Sequence, residues 1–173
     1  IALALMLAGT FVGWTLCVQN PDWFYSFMPV ELAGDRVPGA SREVLHAGLF
    51  NNQDQPDQGV FAASLFSHNA GIAIMCFALG FAFGIPSLLL LVQNTTMLGA
   101  ILWLYHGQGL DYEIAGWLSI HGTTELFAIL LAGGAGLHIG RSMAFPGEKS
   151  LVEAAAAAGQ RAAVVMAGVV VML

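Results

Sequence analysis

Ser119-Ile-His-Gly-Thr-Thr-Glu-Leu-Phe127 stands in the middle of an apolar run, Ile114 to Ile139, that holds no other acid and no Lys or Arg. An isolated Asp, Lys or Arg at the centre of a membrane helix costs roughly 2.5–3.5 kcal/mol on insertion scales. If the run is helical, His121 and Glu125 lie one turn apart on one face and can meet. A pair so placed belongs inside a bundle, where neighbouring helices keep it from lipid.

The composition fits that reading. The 173 residues are 57% hydrophobic and 9% charged, with a mean hydropathy of +0.74, whereas soluble domains carry about 25% charged residues. The expected fold is therefore all-α: a polytopic integral membrane helical bundle of at least five spans, forming a single domain over 1–173. Both ends fall inside apolar runs, so the chain reads as a piece truncated at each end. A net charge of −6 offers no basic face for nucleic acid. Cys17 and Cys76 form no CxxC pair and read as small buried hydrophobes.

Working outward, spans are expected at about 1–18, 60–85, 87–105, 114–139 and 162–173. The first ends at Gln19-Asn20-Pro21, with Trp23 and Tyr25 as interface residues. Segment 19–59 is an acidic loop with short helices: Trp23 to Met28 along the interface, and an amphipathic stretch from Ser41 to Phe50. Asn51 to Gly59 reads as a turn-rich linker, and the acids match no EF-hand spacing. Gly84-Ile85-Pro86-Ser87 is a tight turn between the second and third spans. Gly80 with Gly84, and Gly133 with Gly136, make small-residue faces for close helix approach or self-association. Gly140 reads as a helix end.

Arg141, Lys149 and Arg161 are three of the five basic residues and flank the last two spans. The positive-inside rule puts loop 140–161 in the cytoplasm and loop 19–59 outside. The expected location is the cytoplasmic membrane, in multi-pass form.

The intramembrane polar groups are His68, Asn69, Gln93 to Thr96, His121, Thr123, Thr124 and Glu125. Short connections make the spans neighbours, so the groups can converge. The candidate cluster is His121, Glu125, Asn94, Asn69, His68 and Thr124. It admits a structural reading, in which it fixes helix packing. It also admits a transport reading, with Glu125 and His121 as a proton or ion path. A metal reading rests on His-x-x-x-Glu plus His68, but HExxH and GxSxG motifs are missing. No metal, cofactor or enzymatic activity is expected.

Asn69, Phe77-Ala78-Leu79-Gly80, Gly84 before the Pro turn, Asn94 followed by Gly99, and above all His121-Gly122-Thr123-Thr124-Glu125-Leu126 together resemble the integral-membrane domain of the stage II sporulation protein M family. The resemblance runs from about His68 to Gly140. Where the family often has Asn-Gly, this chain has Asn94-Thr95. It implies a bacterial or archaeal membrane protein; the family's namesake works with a peptidoglycan hydrolase and a partner membrane protein during engulfment. His121 and Glu125 are then signature positions, and Asn69 and Asn94 their companions. The expected role is a non-enzymatic subunit or scaffold of a membrane complex, in contact with the lipid bilayer and with other subunits or itself. The alternative is a small transporter or channel.

Overall fold

In the computed structural model the described residues are 1–50 and 57–173, with the side chains of 57–65 and of residue 121 outside the description. The linker expected at 51–59 thus lies outside the described residues as far as 56. Among the described residues all regular structure is helical.

Among the described residues, four helices are long and apolar enough to cross a membrane: α1 (Ala2–Gln19), α6 (Ile85–His106), α8 (Thr123–Ala144) and α9 (Leu151–Met172). The 22 residues of α6 rise about 33 Å at ~1.5 Å each, matching a hydrocarbon core of about 30 Å. Among the described residues, the expectation of at least five spans is corrected to four. The difference lies in the stretch expected as 60–85. Its helix, α5 (Asp57–Ala78), opens on polar residues and gives way to a 3₁₀ turn at Leu79–Phe81. Among the residues whose side chains are described, its apolar stretch is Phe66–Phe81. Left-handed Phe83 (φ 58°) and Gly84 (φ 74°) then turn the chain into α6.

Two other boundaries moved. The helix expected from Ala162 begins at Leu151, because Ser150 and Glu153 form a capping box. Arg161 therefore lies within α9. The run expected as one helix from Ile114 to Ile139 is divided into α7 (Asp111–Trp117), a π-helical turn at Leu118–Gly122, and α8. The wider turn is closed by hydroxyls: Ser119 Oγ donates to Gly116 O (2.7 Å) and Thr123 Oγ1 to Ser119 O (2.8 Å). Because a π turn advances differently from an α turn, the one-turn spacing of His121 and Glu125 does not carry over unchanged.

The chain packs as two units. One comprises Ile1–Met6, His68–Val92 and Thr124–Leu173. Its core is built from small and branched residues of α5, α6, α8 and α9, among them Ala73, Cys76, Leu91, Ala132 and Val169. Ala135 and Ile139 meet Ala158 and Ala162 in a second cluster.

The other unit comprises Leu7–Ser67 and Gln93–Thr123. Here the acidic segment forms α2 (Trp23–Phe27), α3 (Val30–Ala33) and α4 (Arg42–Phe50). Phe24, Leu32, Leu45 and Leu49 of these helices join Cys17, Leu104, Tyr105 and Leu110 in one core. The described part of the segment is thus a folded layer whose acids, Asp22, Glu31, Asp35 and Glu43, are exposed. Arg42 ties it to the start of α7 through Glu113 (3.1 Å). Arg36 donates to Leu32 O (2.9 Å), and burial pulls its guanidinium below the usual arginine value. In the same unit α1 and α6 cross without room for a side chain. A Cβ on Gly13 would stand 2.1 Å from Thr96 O, and one on Gly99 2.0 Å from Thr10 O.

Candidate functional site: the α5–α8 seam

Within the first unit, α5 and α8 run parallel in a fixed register. Asn69 meets Glu125, Gly80 meets Gly136, and Gly84 meets Gly140, so each contact joins residues separated by the same number of positions. Along α8, from Glu125 to Gly140, the seam is about 22 Å long at ~1.5 Å per residue.

Its polar end is a single hydrogen bond: Asn69 Nδ2 donates to Glu125 Oε2. Asn69 is buried, and Glu125 is half-buried in the first turn of α8. An amide donor to a carboxylate is a charge-assisted bond when the acid is ionised. It also removes the cost of leaving the buried Asn69 amide unpaired.

The rest of the seam is glycine against glycine. A Cβ on Gly80 would lie 2.6 Å from Gly136 Cα, and one on Gly140 2.4 Å from Gly84 Cα. Helix α6 closes the third side. Ser87 Oγ donates to the carbonyl of Cys76 (2.6 Å), and a Cβ on Gly136 would fall 2.0 Å from that same carbonyl oxygen. Gly133 packs beneath Leu91, whose side chain a Cβ would meet at 2.6 Å. These glycine faces are thus covered by the chain's own helices, which corrects the expectation that Gly80/Gly84 and Gly133/Gly136 serve self-association.

The expected single buried His/Glu/Asn cluster is also corrected. Among the described residues the buried polar side chains are Asn69, Ser87, Asn94, Thr95 and Thr96, and no charged one is buried. Asn94 belongs to the other unit, where its Oδ1 has no hydrogen-bond partner among the described residues. His68 is half-buried and Thr124 is exposed. His121 has its backbone in the π turn, and its side chain lies outside the described residues. Among the described residues no three His, Cys, Asp or Glu side chains gather as metal ligands would.

Sequence reasoning missed Ser87, the carbonyl of Cys76, and Gly140 as a contact. The signal was present: Cys76, Gly80 and Gly84 repeat every four residues, as do Ala128, Ala132, Gly136 and Gly140. Four-residue spacing keeps one face of a helix small.

A family model described as stage II sporulation protein M matches residues 2–173. The chain belongs to that family. The match reaches well beyond the stretch from His68 to Gly140, taking in α1, the acidic layer and α9. No curated protein matches the chain. No solved structure does either. In this member of the stage II sporulation protein M family, the signature Glu125 therefore has a defined partner, the amide of Asn69.

Proposed function

We propose that this stage II sporulation protein M family member is a non-enzymatic subunit or scaffold of a membrane complex. The observation that carries this reading is the constant register of the α5–α8 seam, with one polar pair and a row of glycine contacts. A hydrogen bond between membrane helices contributes about 0.6 kcal/mol on average, so the pair acts chiefly on register and the glycines on closeness. Such a seam holds a shape rather than opening and closing. The outward faces suit contact with lipid and other subunits, since 17% of the apolar window of α9 and 22% of that of α1 are buried within the chain. The connection between α8 and α9, residues 145–150, faces the cytoplasm and segment 19–59 the outside, in the cytoplasmic membrane.

The second reading, a small transporter using Glu125 and His121, draws on the partial exposure of Glu125, since an intramembrane carboxylate commonly marks an ion path. Isolation of the native assembly in mild detergent, wild type beside Asn69→Leu and Glu125→Gln, tests both. Defined co-purifying proteins that Asn69→Leu, which breaks the pair, releases favour the scaffold. A folded, solitary Glu125→Gln protein with altered proton flux in liposomes favours transport and overturns the scaffold.

A further inference from the structure

The first unit contains an open groove of about 890 Å³ between the end of α8, the middle of α9 and the Phe83–Leu88 turn into α6. That volume falls within the ~300–1,000 Å³ of small-ligand sites. Its walls are apolar, with Leu88, Leu131, Leu137 and Val165 along them. Three further lining residues differ in kind: His138, Arg141 and Arg161, all exposed. No Asp or Glu lines the groove.

Both arginines lack a counter-charge. The ion pairs among the described residues are Arg42–Glu113 and His106–Asp111. The side chains of Arg141 and Arg161 have no hydrogen-bond or ionic partner among the described residues. Arg141 lies near the end of α8, about 5 Å from the helix terminus at ~1.5 Å per residue. Arg161 lies about 15 Å into α9 by the same rise. An arginine that deep in an apolar helix reaches its flexible stem toward an anion or the interface. Here the groove runs past it.

We infer that this groove is a binding site for an anionic phospholipid, with Arg141 and Arg161 on the headgroup phosphate and the apolar walls along an acyl chain. Guanidinium groups match phosphate oxygens in pairs. Basic pockets between spans on the cytoplasmic side bind acidic lipid headgroups for this reason. His138, one turn before Arg141 on the same face, adds a ring nitrogen to the headgroup end. The site makes the protein selective for membrane regions rich in acidic lipid, a property separate from the seam between α5 and α8.

Native mass spectrometry of the full chain in neutral detergent tests the site, with phosphatidylglycerol and phosphatidylcholine of identical acyl chains as probes. Two arginines predict about a 30-fold preference for phosphatidylglycerol. Arg141→Gln/Arg161→Gln should abolish the preference, and Lys149→Gln, in the same connection but outside the groove, should leave it intact. Gly134→Leu, which fills the groove, should weaken both lipids alike. If the double variant does not elute as a folded protein, Arg161→Gln alone replaces it, with an expected loss of about fivefold. Equal affinity for the two lipids overturns the inference, as does an unchanged preference in the arginine variants. So does a loss with Lys149→Gln as large as theirs, which marks diffuse attraction. Displacement of lipid by equimolar glycerol 3-phosphate overturns the lipid assignment in favour of a free phosphate ligand.

Discussion

Asn69 and Glu125 make one bond, but the two side chains are not equivalent. Asn69 is buried and Glu125 is half-buried. Replacing the acid by Gln keeps a carbonyl oxygen where Asn69 Nδ2 donates. Replacing Asn69 by Leu leaves the carboxyl group with nothing to accept. Asn69→Leu should therefore destabilise the protein by about 1–3 kcal/mol and Glu125→Gln by about 1 kcal/mol or less. Thermal unfolding in one detergent would compare them, and equal losses would mean that the bond contributes little. The importance of Glu125 was legible because an acid alone in an apolar run needs a reason. Its partner was legible only as one of several polar groups. The choice among Asn69, Asn94 and His68 depends on how α5 and α8 are rotated, which apolar periodicity does not fix when helices are apolar nearly all round.

Between helices, the absence of a Cβ sets the spacing. A methyl at Gly136 would stand 2.0 Å from the Cys76 carbonyl oxygen, which is backbone and cannot swing away. Gly136→Ala should cost about 1–3 kcal/mol through overpacking. Gly168→Ala in α9, where nothing lies within 4 Å, should be neutral or gain up to about 1 kcal/mol of helix propensity. Denaturation of the pair beside wild type checks the contrast, and a tolerated Gly136→Ala would show that the seam can loosen. The small-residue faces were legible as a spacing, but their partners were not, because four-residue repeats say which face is close and not to whom.

The acidic layer offers a titration. The Glu43 carboxyl is held below its usual value, first by its own backbone N–H, then by the Ser41 hydroxyl at the start of α4. A depressed folded value means that the contribution is present above the unfolded value of ~4.3 and lost as pH falls through the folded one. Amides of α4 in the wild type should lose protection against hydrogen exchange below about pH 4. Glu43→Gln should show no such step. The helix itself was legible from its apolar positions. The π turn at Leu118–Gly122 was not, since Ser119 and Thr123 close it through carbonyls that an ordinary helix would use otherwise.

At the scale of the molecule, the four apolar helices long enough to span among the described residues give an even number of crossings. Segment 19–59, which follows α1, and the connection 145–150, between α8 and α9, are then separated by the second and third crossings. An even pair of crossings returns the chain to the side it left. The proposed sidedness, with these two segments on opposite faces, therefore requires α5 to cross as well. Single-cysteine labelling decides this, because Cys17 and Cys76 are buried and give little background. With Glu148→Cys reporting the α8–α9 connection and Glu31→Cys the acidic layer, an impermeant thiol reagent on intact cells should label only Glu31→Cys. Labelling of both would place α5 short of a full crossing. Length and composition made the membrane class legible. They left this count open because α5 has the 22 residues of a span but opens on polar residues and gives way to a 3₁₀ turn.

The Ser87–Cys76 bond and the Gly136 contact meet at one carbonyl, yet they become available at different moments of biosynthesis. The bond joins residues 11 apart, so α5 and α6 can pair as a hairpin soon after both leave the ribosome. Gly136 emerges later, by roughly 2–10 s at ~5–20 residues per second. For that interval the nascent hairpin presents Gly80 and Gly84, just past the end of α5, bare to whatever shares the insertion site. The row is then a docking strip awaiting its own α8, and any competing helix that accepts it first diverts the chain from its fold.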